Sequence, residues 1–358
     1  MAVLSLLAHP ESYRAWEWDL ARDPSARAYW VGLFRSHIHT IADRIRSESG
    51  AASDGRVEAF LHDYLTGLSV LDSRPDAWGG LSILSLARYR QQVLRRHGFP
   101  DPFAAVKARE TGAAIEMYPD VVAALEAMEP PARMDALARG IMAGNEFDLG
   151  CVATTAQYHA SGHDFADALG RVPPRPWPED DFDAWCGRIL SARPAYRHVL
   201  FFVDNAGADV VLGCIPLARE LVTSGSRVTL AANSEPSLND VTIDELNAAL
   251  AAIGRVDERI RRAVAAGRIR TVASGCATPV IDLSDITDAC NEASYDADLL
   301  ILEGMGRAVE TNRSARFTCD VLKIALIKDP FVAEKLGVPL FSPTWVFHTG
   351  DGRRGGLG

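Results

Sequence analysis

Four short, largely apolar runs in the second half of the chain constrain its fold more than any other feature: His198 to Val203 (HVLFFV), Arg227 to Ala232 (RVTLAA), Ile269 to Ala273 (IRTVA) and Asp298 to Leu302 (DLLIL). Runs of this length, rich in Val, Leu and Ile and without polar alternation, suit strands covered on both faces. Each is followed by a stretch with helical periodicity, and alternating strand and helix implies a mostly parallel sheet with right-handed crossovers. The expected architecture is a three-layer α/β/α, Rossmann-like sheet.

The first half has a different texture. From Tyr29 to about Arg171 the apolar residues recur at helical spacing, as in Ile83, Leu86, Tyr89, Val93, Leu94 and again in Val121, Val122, Leu125, Met128. This predicts an additional all-α domain. Between the halves, Val172-Pro173-Pro174-Arg175-Pro176-Trp177-Pro178 neither continues a helix nor donates to a sheet ladder, so it reads as a linker or as an extended segment pinned by Trp177. The expected division is a helical domain over 1–171, a proline-rich joint over 172–190, an α/β domain over 191–348 and a flexible Gly-rich tail over 349–358.

Composition narrows the function. A net charge of -10 disfavours nucleic acid and anionic membrane surfaces as partners. An anionic substrate then needs locally concentrated positive charge, from a metal ion, Lys, Arg or a helix N-terminus. No apolar run approaches the ~20 residues that span a bilayer. The start, Met1 to His9, lacks the basic flank and length of a secretory leader. The six cysteines are scattered without a C-x-x-C pair, which reads as reduced thiols rather than disulfides or a zinc site. The expectation is a soluble, cytoplasmic protein with a small-molecule partner.

In an open α/β sheet, ligands bind beyond the carboxyl ends of the strands, so the residues after each run carry the information. They are Asp204-Asn205-Ala206-Gly207 after the first run, Asn233-Ser234-Glu235 and then Asn239-Asp240 after the second, and Glu303-Gly304-Met305-Gly306-Arg307 after the fourth. Asp204, Asn205 and Asp240 offer hard oxygen ligands suited to Mg²⁺ or Mn²⁺, with Co²⁺ or Ni²⁺ tolerated. Each also has a structural reading, as a turn or, for Asp240, as a helix cap. Gly304 and Gly306 either bring backbone N–H groups up to a phosphate or simply make a tight turn. Lys323, in an apolar stretch with helical appearance, must snorkel or meet an anion. Asn145 and Asp148 form a polar cluster in the helical half that lines a cleft or caps a helix. His159 and His163 have metal-ligand spacing, but no third ligand accompanies them and surface histidines are the favoured reading. P-loop, H-E-x-x-H and G-x-S-x-G motifs are absent.

Three segments together resemble the metal-dependent damage-control phosphatase family, once a domain of unknown function. They are Phe202-Val203-Asp204-Asn205-Ala206-Gly207-Ala208-Asp209, Pro236-Ser237-Leu238-Asn239-Asp240-Val241-Thr242, and Glu303-Gly304-Met305-Gly306-Arg307 running on to Asn312. The likeness extends through Arg139 to Gly150 and the proline-rich joint, and covers roughly residues 80 to 347. The similar branch contains plant stand-alone phosphatases and the domain fused to some pantothenate kinases. The resemblance implies a helical domain packed on an α/β/α domain, with one divalent metal at the interface held by Asp204, Asn205 and Asp240. The glycine loop and Lys323 would then hold the phosphate. The implied reaction is hydrolysis of 4′-phosphopantetheine or its oxidised forms, with Asp204, Asp240 and Lys323 as catalytic groups. Other branches act on sugar phosphates and carry Lys near Glu303, so Glu303 favours the pantetheine branch. An S-adenosylmethionine-dependent carboxyl methyltransferase is the rival, and Asp204-Asn205-Ala206-Gly207 suits it poorly.

Overall fold

The computed structural model describes residues 1–50, 53–76, 80–146, 165–192 and 194–350. The first part supplies helices α1 (Pro24–Ser49), α2 (Asp54–Ser73), α3 (Ile83–Arg96), α4 (Ala104–Glu126), α5 (Pro130–Glu146), α6 (Phe165–Arg171) and α7 (Phe182–Ser191), with strand β1 (Glu179–Asp180) between the last two. Then come β2 (His198–Phe202), α8 (Ile215–Thr223), β3 (Arg227–Ala232), α9 (Ile243–Ile253), α10 (Glu258–Ala265), β4 (Ile269–Ala273), α11 (Asp288–Ser294), β5 (Leu299–Glu303), β6 (Asp320–Leu326), α12 (Pro330–Leu336) and β7 (Pro343–His348). Single π-helical turns, Asp209–Cys214 and Gly306–Glu310, follow β2 and β5. Local chemistry sets the helix starts. The Asp23 side chain accepts from the amides of Ser25 and Ala26 ahead of Pro24, and Ser82–Ser85 and Thr242–Glu245 form capping boxes at α3 and α9.

The seven strands lie in the order β1-β7-β6-β5-β2-β3-β4. All neighbours are parallel except β6 and β7. The chain runs from β2 outward through β3 and β4, then returns to β5 and runs outward the other way. The crevice between β2 and β5 is therefore a topological switch point, where such sheets bind ligands. The four expected strands are present. Residues 321–326, expected to be helical, are instead strand β6. Val321, Leu322, Ile324 and Ala325 are all buried, and a continuous apolar run of this length fits a two-sided strand as well as a helix. Strand β7, antiparallel to β6 and flanked on its other side by the short edge strand β1, was not anticipated.

Alternate side chains of β2 enter different cores. Leu200 and Phe202 join Ile38, Tyr64 and Leu86 of α1 to α3, whereas Val199 and Phe201 join Ile141 of α5, Phe165 of α6 and Trp185 of α7. Helix α4 contributes Val106 to the first core and Tyr118 to the second. Both apolar layers thus run across residue 171. Of the stretch 172–190, residues 172–178 form an irregular connection, and β1 and most of α7 make up the rest. Trp177 is 4% exposed with its ring centroid 6.4 Å from that of Trp345, and its Nε1 donates to the Pro173 carbonyl at 2.9 Å. Among the described residues no helix is long and apolar enough to cross a membrane.

Candidate active site at the strand tips

The loops leaving β2 and β3 are latched together by backbone bonds. Ala206 N–H donates to Asn239 O and Val241 N–H to Asp204 O, both at 2.9 Å. An isolated bridge joins Asn205 to Asp240. This latch sets Asp204, Asn205 and Asp240 side by side. Thr242, not Asp240, caps α9, so the Asp240 carboxylate is left for the strand tips. Lys107 of α4 braces the same loop, with ion pairs to Glu245 at 2.8 Å and Asp101 at 3.0 Å.

Arg307 ties the two carboxylates to one cation. Its Nη1 donates to Asp204 Oδ1, and its Nη2 donates to Asp240 Oδ2 at 2.6 Å and Asn233 Oδ1 at 3.0 Å. Asn233 Nδ2 donates to Asp240 Oδ2 at 3.0 Å. The glycines flanking Met305 are required by close approaches within the protein, while Met305 and Gly306 line the cleft. Gly304 has φ +98°, and a Cβ there would overlap the Asp204 carboxylate; at Gly306 it would overlap the Pro279 carbonyl. The anion that Gly304 admits is Asp204 itself.

Behind Asp204 lies a polar network closed to solvent. Glu303 is fully buried and accepts from the Asp204 amide at 2.8 Å. Asn145, from the end of α5, donates through Nδ2 to Glu303 Oε1 at 2.8 Å, Asp209 Oδ2 at 2.9 Å and Asp204 Oδ2 at 3.3 Å. Asn205 Nδ2 donates to Asp209 Oδ2 at 2.7 Å and Asp204 Oδ2 at 3.0 Å. Lys328 donates to the Asn145 carbonyl at 2.8 Å. Burial raises the Asp209 and Glu303 carboxyls, against the pull of the Lys328 ammonium. It also raises the Cys214 thiol well above its usual range. Ligand atoms of Asp209, Cys214 and Glu303 lie within 4.8 Å of one another, a second grouping with metal-ligand composition.

In front of the carboxylates opens a cleft of about 300 Å³. Asp204, Asn205, Asp240, Met305, Gly306 and Lys328 line its polar end, while Tyr29, Trp30 and Phe34 of α1 and Ile83 and Arg90 of α3 form the opposite wall. The helical half therefore reaches the site through α1 and α3 on the wall and through Asn145 behind it. Lys323 is not there. It lies inside β6 with its Nζ donating to the carbonyls of Arg313 at 2.7 Å and Ala315 at 3.0 Å, and burial lowers its pKa to about 8. The lysine that a strand β6 delivers beyond its carboxyl end is Lys328. Asp148, His159 and His163 lie outside the described residues. Asn233 was among the strand-end residues singled out but was given no role; Asp209, Lys328 and Arg90 were not assigned to the site. Arg90 carried a signal, because it falls on the same helical stripe as Ile83, Ala87 and Leu94, which are buried.

Residues 33–342 match the family model described as the Damage-control phosphatase ARMT1-like domain. The chain belongs to the damage-control phosphatase family. It is 38% identical to a damage-control phosphatase of Arabidopsis thaliana, over 89% of this chain and 87% of that protein. It is 32% identical to the 4′-phosphopantetheine phosphatase of Mus musculus, over 95% of this chain and 47% of the mouse protein. Pantothenate kinase 2 of Oryza sativa is 37% identical over 93% of this chain, which spans 40% of that kinase's length. The fold is shared with a DUF89 family protein of Pyrococcus horikoshii, at a TM-score of 0.61 and 16% identity, covering 89% of this chain and 97% of the archaeal one.

Proposed function

We propose that this family member is a divalent-metal-dependent phosphatase acting on a small phosphomonoester, with 4′-phosphopantetheine or its oxidised forms as the substrate class. One observation carries the reading: Asp204 and Asp240, from separate strand tips, line one cleft and aim their oxygens at a single positive centre. Here that centre is the Arg307 guanidinium. With the Asn205 amide oxygen beside them, these groups make an all-oxygen donor set suited to Mg²⁺, Mn²⁺, Co²⁺ or Ni²⁺. The alternative grouping of Asp209, Cys214 and Glu303 fits a catalytic ion less well. It is sealed from the cleft, its thiol is held protonated, and Lys328 already balances its charge.

A bound divalent ion would supply Lewis-acid stabilisation of the charge that builds on the phosphoryl oxygens. The protein's own groups do the rest. Glu303 and Asn145 fix the Asp204 backbone and carboxylate from behind, and Asn233 orients Asp240. Arg307 and Lys328 supply positive potential at the polar end of the cleft. Glu303 is buried behind Asp204, so its influence on substrate choice passes through Asp204 rather than through contact. Discrimination falls to the aromatic wall of α1, whose apolar surface suits an uncharged organic arm better than a sugar. The name of the mouse relative supports the same substrate class.

The test is a panel of phosphomonoesters assayed with metal-stripped protein and with each of the four ions added back. Hydrolysis should need the ion and favour phosphopantetheine. Asp204→Ala should stay folded and lose activity by roughly 10²–10³-fold, as on loss of a preorganised electrostatic contact. Full turnover by the stripped protein or by Asp204→Ala would refute the reading.

A further inference from the structure

Arg90 is a cation without an anion. It lies on α3, is only 3% exposed and lines the cleft. Its Nε and Nη2 find no hydrogen-bond partner among the described residues. Its guanidinium carbon sits 5.0 Å from the centre of the Phe34 ring, a contact that orients the group without using its N–H donors. The contrast with Arg307 is direct, since that guanidinium spends its donors on Asp204, Asp240 and Asn233. A buried guanidinium stripped of water and given no acceptor is costly to keep. Such a cost is tolerated where the missing partner is a ligand.

Two more donors on the walls of this cleft share the condition. Trp30 Nε1 and Asn239 Nδ2 are buried and find no acceptor among the described residues. Three side chains from three separate segments thus present donors, and the group that complements them must be rich in acceptors. A phosphoryl group, with oxygens only, is the strongest such partner for a guanidinium. Location selects the phosphoryl group over carbonyls elsewhere on a substrate, because Arg90 lines the same cleft as Asp204, Asn205 and Asp240.

We propose that Arg90 is a substrate-binding residue, whose guanidinium on the helical wall of the cleft receives the phosphoryl oxygens opposite Asp240. The proposal rests on the phosphatase reading above and adds to it a phosphate ligand supplied by the helical half of the chain.

The experiment uses the Mn²⁺-loaded full chain, Arg90→Met and Arg90→Lys, with inorganic phosphate as the probe. Calorimetry should show phosphate binding weakened roughly 10- to 100-fold in Arg90→Met, as expected on losing charge-assisted hydrogen bonds. Arg90→Lys should be intermediate, because a point charge replaces the fork. Mn²⁺ affinity should not change. The phosphate-free melting temperature of Arg90→Met should equal or exceed that of the wild type, because an unpaired buried charge is gone, and its rise with added phosphate should shrink. Phosphate affinity in Arg90→Met within twofold of wild type would overturn the assignment, as would a melting temperature far below it. An increase in KM for the organic ester with unchanged phosphate affinity would place Arg90 on the organic arm and equally overturn it. If the wild-type protein itself neither binds phosphate nor hydrolyses esters, the phosphatase reading falls and Arg90 with it. If the wild type does both and Arg90→Met matches it, only the Arg90 assignment falls.

Discussion

Gly304 and Gly337 both have positive φ, +98° and +68°, but their surroundings differ. A Cβ at Gly337 meets nothing within 4 Å, whereas one at Gly304 overlaps the Asp204 carboxylate. Gly337→Ala should therefore cost only the left-handed backbone strain, about 1–2 kcal/mol. Gly304→Ala adds to that strain an overpacking cost of about 1–3 kcal/mol, for a total of roughly 2–5 kcal/mol. At about 1.3 °C per kcal/mol for a chain of this size, the melting temperature should fall by about 1–3 °C for Gly337→Ala and about 3–7 °C for Gly304→Ala. The clash also displaces the Asp204 carboxylate from its present position. Divalent-ion affinity measured by calorimetry should then weaken at least about tenfold in Gly304→Ala, an effect of about 1.4 kcal/mol, and stay unchanged in Gly337→Ala. Equal melting shifts for the two variants, with equal metal affinity, would refute the claim that Gly304 exists to seat Asp204.

The two lysines separate in a paired assay. Lys328→Met removes the cation that balances buried Asp209 and Glu303, and should destabilise by about 3–5 kcal/mol in chemical denaturation and abolish hydrolysis, whereas Lys323→Met should retain wild-type turnover. Loss of turnover in a folded Lys323→Met would return that lysine to the site. Lys323 also makes a pH prediction, since its folded pKa is lowered from the ordinary 10.5 to about 8 by burial. The unfolded chain holds this proton more tightly, so the group's contribution should rise between pH 8 and 10.5 by up to about 3 kcal/mol, and denaturant titrations should find that rise missing in Lys323→Met.

Much of the site was legible because the strands were. In β2, β3 and β5 both faces are covered, so their sequences are continuous apolar runs whose ends are legible to within a residue, and just past those ends come Asp204 and Asn205, Asn233, and Gly304. Asp240 was reachable because a capping box marks the start of the following helix at Thr242. The same logic failed at β6. Its apolar run admits a helix, which left Lys323 free to snorkel or meet an anion; the resemblance implied the anion, whereas the strand's end at Leu326 points to Lys328. Helical periodicity shows that a helix has a buried stripe but not which layer covers it. The division of α1–α3 and α5–α7 between opposite faces of the sheet is thus invisible in the sequence, and with it the cleft wall built by α1 and α3.

Arg90 and Lys323 bring the limit into focus. Both are basic residues set among buried apolar neighbours, and both end up less than 5% exposed. From spacing alone they carry the same message, that a charge has been placed where water is excluded. What separates them is the supply of acceptors. Lys323 finds two backbone carbonyls, at 2.7 and 3.0 Å, contributed by the loop before β6, so its charge is solvated internally and asks nothing of a ligand. Arg90 faces an aromatic ring and an open cleft, and Nε and Nη2 have no acceptor among the described residues. Backbone carbonyls belong to every residue and leave no trace in composition, so only the folded arrangement distinguishes a buried cation that is satisfied from one that is waiting. By that criterion the cation we propose to meet the substrate is the one on α3, in the half of the chain where the sequence offered only the Asn145–Asp148 cluster and the His159–His163 pair.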